Sequence, residues 1–176
     1  MKKLITASAL ALAFASTAQA TDFDLKVGVL DQGTEEGFVV GASVQAMEGL
    51  TVSADYKDVD AVSLIEAGLQ YELGVSEGVD LVGGLSYLQA DASDLDVDDT
   101  AFSLQAGLRA DVAEGVTLEF GMERMEWSDE VLGSFGYVND FAPYLSASVD
   151  VTESVKVAFQ HREALDESAV VVSFAF

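Results

Sequence analysis

Along FVVGASVQAM, residues 38–47, apolar and small polar side chains alternate one by one. Phe38, Val40, Ala42 and Val44 fall on one side, and Gly41, Ser43 and Gln45 on the other. The same period of two returns in AFSLQAGLRADV, residues 101–112, where Phe102, Leu104, Ala106, Leu108 and Val112 oppose Ser103, Gln105, Gly107, Arg109 and Asp111. VTLEFGME, residues 116–123, sets Val116, Leu118, Phe120 and Met122 against Thr117, Glu119, Gly121 and Glu123. Successive side chains of a strand point to opposite faces, so this pattern predicts strands with one greasy and one polar face. No stretch after residue 20 approaches the ~20 consecutive apolar residues of a membrane helix.

The connections between these strands repeat. QAMEGLTV (45–52), GVSEGVDL (74–81), DVAEGVTL (111–118) and DVTESVKV (150–157) each place a Glu-Gly or Glu-Ser pair between two alternating segments. Such pairs close tight hairpins, with glycine available for a positive φ. They alternate with more varied connections: DQGTEEG (31–37), YKDVDA (56–61), DASDLDVDDT (91–100), SDEVLGSFGYVND (128–140) and EALDES (163–168). Ten strands follow, at about 22–30, 37–47, 50–57, 61–74, 79–90, 100–112, 116–127, 139–151, 155–163 and 168–176, most of them near the ~9–11 residues of a tilted membrane crossing. If the first hairpin or one turn is not formed, the number is eight. A soluble β-sandwich would also alternate. Short turns alternating with longer connections, and a Gly- and Ser-rich polar face, favour an all-β, closed antiparallel up-and-down transmembrane β-barrel.

The first twenty residues stand apart. Lys2 and Lys3 precede an apolar run from Leu4 to Phe14, and Ala18-Gln19-Ala20 offers a small-x-small cleavage site. This is the layout of a secretory signal peptide, which makes residues 1–20 a removable leader and 21–176 a single barrel domain. The chain has no cysteine, so an exported product must be held by its own hydrogen bonds and packing. Losing Lys2 and Lys3 leaves six basic residues against 31 acidic ones. Such a surface repels nucleic acid and attracts cations.

SAVVVSFAF, residues 168–176, directs Val170, Val172, Phe174 and Phe176 to one face and Val171, Ser173 and Ala175 to the other. In a closed barrel this strand pairs on both sides and leaves no free edge. An alternating last strand ending in Phe resembles Gram-negative outer-membrane β-barrel proteins, and more narrowly the small porin-family barrels. The resemblance implies an outer-membrane location and recognition of Val170, Val172, Phe174 and Phe176 by the barrel assembly machinery. It also implies contact with outer-membrane lipid and lipopolysaccharide. Aromatics sort to match. Phe38, Tyr56, Tyr87, Phe102, Trp127, Phe141 and Phe159 lie near the longer connections, and Phe23, Tyr71, Phe174 and Phe176 near the opposite ends, as in two interfacial girdles. Simple alternation from Phe120 turns Trp127 inward, and a bulge near Arg124 would bring it out. Pro143 should sit near the top of its strand or at a bulge.

Charged residues fall on the polar, inward face: Lys26, Asp55, Lys57, Glu66, Glu72, Asp80, Arg109, Asp111, Glu119, Glu123, Lys156 and Arg162. Lys26, Glu66, Glu72, Arg109, Glu119, Glu123, Lys156 and Arg162 are the candidate lumen network. It is either a filter for small cations or a salt-bridged plug. Barrels of about eight strands are just filled by side chains, whereas open channels have ~16–18, so ten strands favour the plug over a wide pore. The resulting expectation is a structural, interaction or narrow cation-preferring pore role. The alternatives are a barrel enzyme acting on lipid or peptide at the outer leaflet, and a soluble periplasmic β-protein.

Chemistry is sparse. His161, the single histidine, faces outward near the rim but lacks the His-x-Ser spacing of lipid A deacylases, being followed by Arg162 and Glu163. No catalytic residue and no cofactor is expected, and the chain is not read as an enzyme. The acidic run DLDVDD, residues 94–99, fails the calcium-loop pattern, since Asp99 and Gln105 stand where Gly and Glu are needed. Asp94, Asp96 and Asp98 remain weak candidates for divalent cations bridging to lipopolysaccharide phosphates.

Overall fold

A computed structural model describes residues 23–60, 62–92, 97–128 and 140–176. The signal peptide reading and candidates Asp94 and Asp96 fall outside them. Ten antiparallel strands run in chain order: β1 (Phe23–Gln32), β2 (Glu35–Met47), β3 (Leu50–Val59), β4 (Val62–Ser76), β5 (Val79–Ala92), β6 (Val97–Ala113), β7 (Val116–Trp127), β8 (Phe141–Thr152), β9 (Val155–Arg162) and β10 (Glu167–Ala175). Each pairs with its sequence neighbours, and β1 pairs with β10 from Asp24↔Ala175 to Gln32↔Glu167, so the sheet closes into a barrel. Closure supplies a partner for every strand edge, a condition that a bilayer imposes.

The sequence repeat becomes a structural repeat at one end of the barrel. In the Glu-Gly turns, Gly49, Gly78 and Gly115 adopt φ of 75°, 70° and 69°, where a Cβ is disfavoured. Each of the four short turns follows a register shift of one residue: between Gln45 and Met47, Gly74 and Ser76, Asp111 and Ala113, and Asp150 and Thr152. That is a bulge beside a tight turn. The turn carbonyl then accepts from a neighbouring strand: Gly49 O from Glu72 N, Gly78 O from Asp111 N and Gly115 O from Asp150 N at 2.8 Å, and Ser154 O from Ala175 N at 3.0 Å.

At the other end the connections are less unequal than the sequence suggested. Gly33 and Thr34 alone join β1 to β2, and β3 turns into β4 next to Asp60. The polar residues around them extend the ladders instead, because backbone pairing continues above the apolar belt. The longer connections are those between β5 and β6, β7 and β8, and β9 and β10.

Alternation sets the faces. Val27, Val40, Leu69, Leu85, Leu104, Phe120, Leu145 and Phe159 form an exposed apolar belt. Aromatic contacts bracket it, with Phe38–Tyr56 at 6.0 Å and Tyr87–Phe102 at 5.3 Å towards the loop end, and Phe23–Phe176 at 6.3 Å across the β1–β10 seam. Trp127 corrects the girdle reading. β7 runs against β6 without a bulge near Arg124, so Trp127 points inward and is buried, while Arg124 and Glu126 face out. Pro143 is the third residue of β8, just above the last β8–β9 pair, Tyr144↔Arg162. There its missing N–H costs little. Tyr144 lies across Gly121 and Gly107, its row partners, and any Cβ on either glycine would collide with its ring or hydroxyl.

Candidate functional site: the barrel lumen

The lumen is layered. Its loop end is filled with apolar side chains: Leu64 from β4, Leu88 from β5, Met125 and Trp127 from β7, and Ala164 and Leu165 from the β9–β10 connection. A second apolar group, Leu30, Val39, Val59, Ala169 and Val171, lines the wall around β1. Sequence reading expected glycine, serine and charge throughout the interior. The signal lies in the apolar residues at inward positions towards the loop ends, Val62 and Leu64 in VSLI (62–65) and Leu88 and Ala90 in YLQA (87–90).

Beneath this layer lies a ladder of buried ions. Lys57 Nζ is 2.8 Å from Glu167 and 3.4 Å from Glu66. Arg162 reaches Glu66 at 2.7 Å and Glu123 at 2.5 Å. Ser86 donates to Glu66 at 2.9 Å; Gln105 donates to Glu123 at 3.2 Å, and Ser103 also donates to it. Glu123 has no exposed surface. The chain Glu167–Lys57–Glu66–Arg162–Glu123 thus links residues of β10, β3, β4, β9 and β7 across the interior. By composition Glu167 belongs to the polar connection EALDES (163–168). Stepping back by two from Val171 and Ala169 would have placed it inside.

Two further groups, a trio and a pair, sit lower. Arg109 bridges Glu119 at 2.7 Å and also contacts Glu72. Lys26 meets Asp55 at 2.7 Å over Gly41, where a side chain would occupy the space that both use. Of the eight expected network residues, Glu66, Glu123 and Arg162 come together in the ladder. Glu72, Arg109 and Glu119 form a separate trio. Lys26 pairs with Asp55, and Lys156 stays half-exposed beside Asp150 at 3.6 Å. Arg109 and Glu123 do not meet.

Below the ladder the lumen widens into a cavity of about 640 Å³, whose wall carries eight acidic and five basic side chains. A second cavity of about 630 Å³ adjoins it at the short-turn mouth, among Glu114, Asp150 and Glu153. Among the described residues no three His, Asp or Glu side chains gather as a metal site. On the outer wall, His161 Nδ1 lies 3.0 Å from Ser168 Oγ and Nε2 lies 3.3 Å from Glu163. The backbone around Ser168 is committed to ladders on both sides, with Asp31 and with His161.

No protein-family model matches the chain, and no curated protein sequence matches it. Solved structures do. The KdgM porin in complex with disordered oligogalacturonate superimposes with a TM-score of 0.55 at 8% identity, over 89% of this chain and 98% of that one. The fold is that of an outer-membrane β-barrel. An outer membrane channel from Pseudomonas putida F1 gives 0.49 at 7% identity, over 89% and 96% of the two chains. Omp33 of Acinetobacter baumannii gives 0.44 at 10%, over 91% and 99%.

Proposed function

We propose that this chain is a Gram-negative outer-membrane barrel acting as a narrow, cation-preferring pore, held closed by its own side chains in the state described. The observation that carries the reading is the buried ion ladder from Glu167 to Glu123, which crosses the lumen above a cavity whose wall is net acidic. A crossing of ion pairs excludes bulky solutes, and an acidic wall raises the local concentration of cations. The apolar belt and aromatic contacts suit a bilayer, with the loop end outside the cell and the short turns in the periplasm. On this reading the acidic connections meet lipopolysaccharide through divalent cations. Val170, Val172, Phe174 and Phe176 carry the signal for the assembly machinery.

The His161 trio has the residue types of a hydrolase, but the strand around its serine pairs with β1 and β9 on its two sides, which occupies backbone N–H groups that could otherwise serve an oxyanion. We read it as a clamp.

Proteoliposomes test the pore. Vesicles carrying the barrel should leak K⁺ slowly and exclude sugars. Arg162→Ala should speed the K⁺ leak several-fold, because it breaks the ladder at Glu66 and Glu123 and empties volume where the lumen closes. Sugar entry equal to that of a general porin, unchanged by Arg162→Ala, would refute the reading.

A further inference from the structure

Both closing layers depend on one short piece of chain. Arg162 ends β9, Glu167 begins β10, and the two are cross-strand partners. Between them Glu163–Leu165 form a single 3₁₀ turn, and Asp166 takes a left-handed conformation at φ 49°. Ala164 and Leu165 have no exposed surface and sit in the apolar layer. Arg162 and Glu167 supply one cation and one carboxylate of the ladder below. A connection needed only to join two antiparallel strands takes two residues, as Glu153-Ser154 does at the far end. Here the extra residues have gone into the mouth.

Its ion pairs and Leu165 keep the piece closed most of the time, but between Arg162 and Glu167 its backbone has few ties to the sheet. Strand pairing to β8 ends at Tyr144↔Arg162, and pairing to β1 ends at Gln32↔Glu167. Beyond that, Gln32 donates to the Leu165 carbonyl at 2.7 Å and Gly33 N–H to the Asp166 carbonyl at 3.1 Å. From outside, His161 touches Glu163, the first residue of the turn, and Ser168 beyond its end. Segments held by a few hydrogen bonds open at lower free energy than ladders do.

We propose that residues 162–167 are the gate of this pore. They move as one hinged piece, withdrawing Leu165 from the apolar layer and drawing Arg162 and Glu167 away from Glu66, Glu123 and Lys57. The proposal rests on the pore reading above. Replacing residues 163–166 by Asn-Gly keeps the Arg162↔Glu167 pair and removes the insert. A second variant, Leu165→Cys, places the chain's sole thiol in the plug. Folding of both is checked by heat-modifiable migration, and both are recorded in planar bilayers beside Arg162→Ala. The shortened variant should conduct several-fold more than wild type. A charged methanethiosulfonate reagent should convert brief openings of Leu165→Cys into lasting ones and leave wild type untouched. If folded forms of both behave like wild type while Arg162→Ala conducts, the gate lies elsewhere and the proposal falls. Silence of all three overturns the pore reading itself.

Discussion

Arg162→Ala strands the carboxylate of Glu123, which the native packing shields from solvent. Glu66 keeps Lys57 at 3.4 Å and the Ser86 hydroxyl at 2.9 Å, so it retains a cation. Glu123 has no exposed surface and keeps only neutral donors, Ser103 and the Gln105 amide at 3.2 Å. Removing one partner of a buried ion pair costs ~3–5 kcal/mol, because the remaining charge loses its compensation. That is roughly two to three and a half orders of magnitude in the folding equilibrium, at ~1.4 kcal/mol per tenfold. The single tryptophan, Trp127, sits in the apolar layer just above and reports on it directly. Guanidinium unfolding in detergent micelles, followed by its fluorescence, should therefore show the loss. Adding Glu123→Gln to Arg162→Ala removes the stranded charge and should recover a large part of the stability, a coupling that a double-mutant cycle measures. A loss below ~1 kcal/mol, typical of an exposed pair, with no recovery in the double variant, would mean that Arg162 does not hold the lumen together.

Two other changes probe the ends of the barrel. Phe176→Asp puts a charge in the girdle beside Phe23, 6.3 Å away at the closing seam, and should sharply lower the amount of heat-modifiable protein in the outer-membrane fraction; normal levels would contradict the assembly role. A peptide tag inserted after Ser93, in the β5–β6 connection, should be labelled by antibody on intact cells with folding preserved, and labelling only after permeabilisation would reverse the orientation.

Much of the fold was legible because a barrel in lipid enforces a strict period of two. The repeated Glu-Gly and Glu-Ser pairs marked the four tight turns, and the strand spans agree with the structure to within about three residues. Legibility ended where the bilayer stops dictating. Above the belt, DQGTEEG and YKDVDA read as loops by composition, yet their backbone pairs because the ladder is already in register. Inside, alternation identified which residues face the lumen but not which of them meet. Arg109 reaches Glu119, its direct row partner, whereas Glu123 finds Arg162 two strands away. Such pairing depends on tilt and stagger, which local pattern does not encode. Leu165 was hidden for a related reason. EALDES reads as a polar connection, and only the closed geometry shows that its one leucine fills the mouth.

The central claim, a narrow cation-preferring lumen closed by its own side chains, is tested most directly by single-channel recording of the wild-type barrel in a salt gradient. The account predicts infrequent, small openings whose reversal potential lies towards the cation equilibrium potential. A steady, large conductance reversing near zero would contradict it.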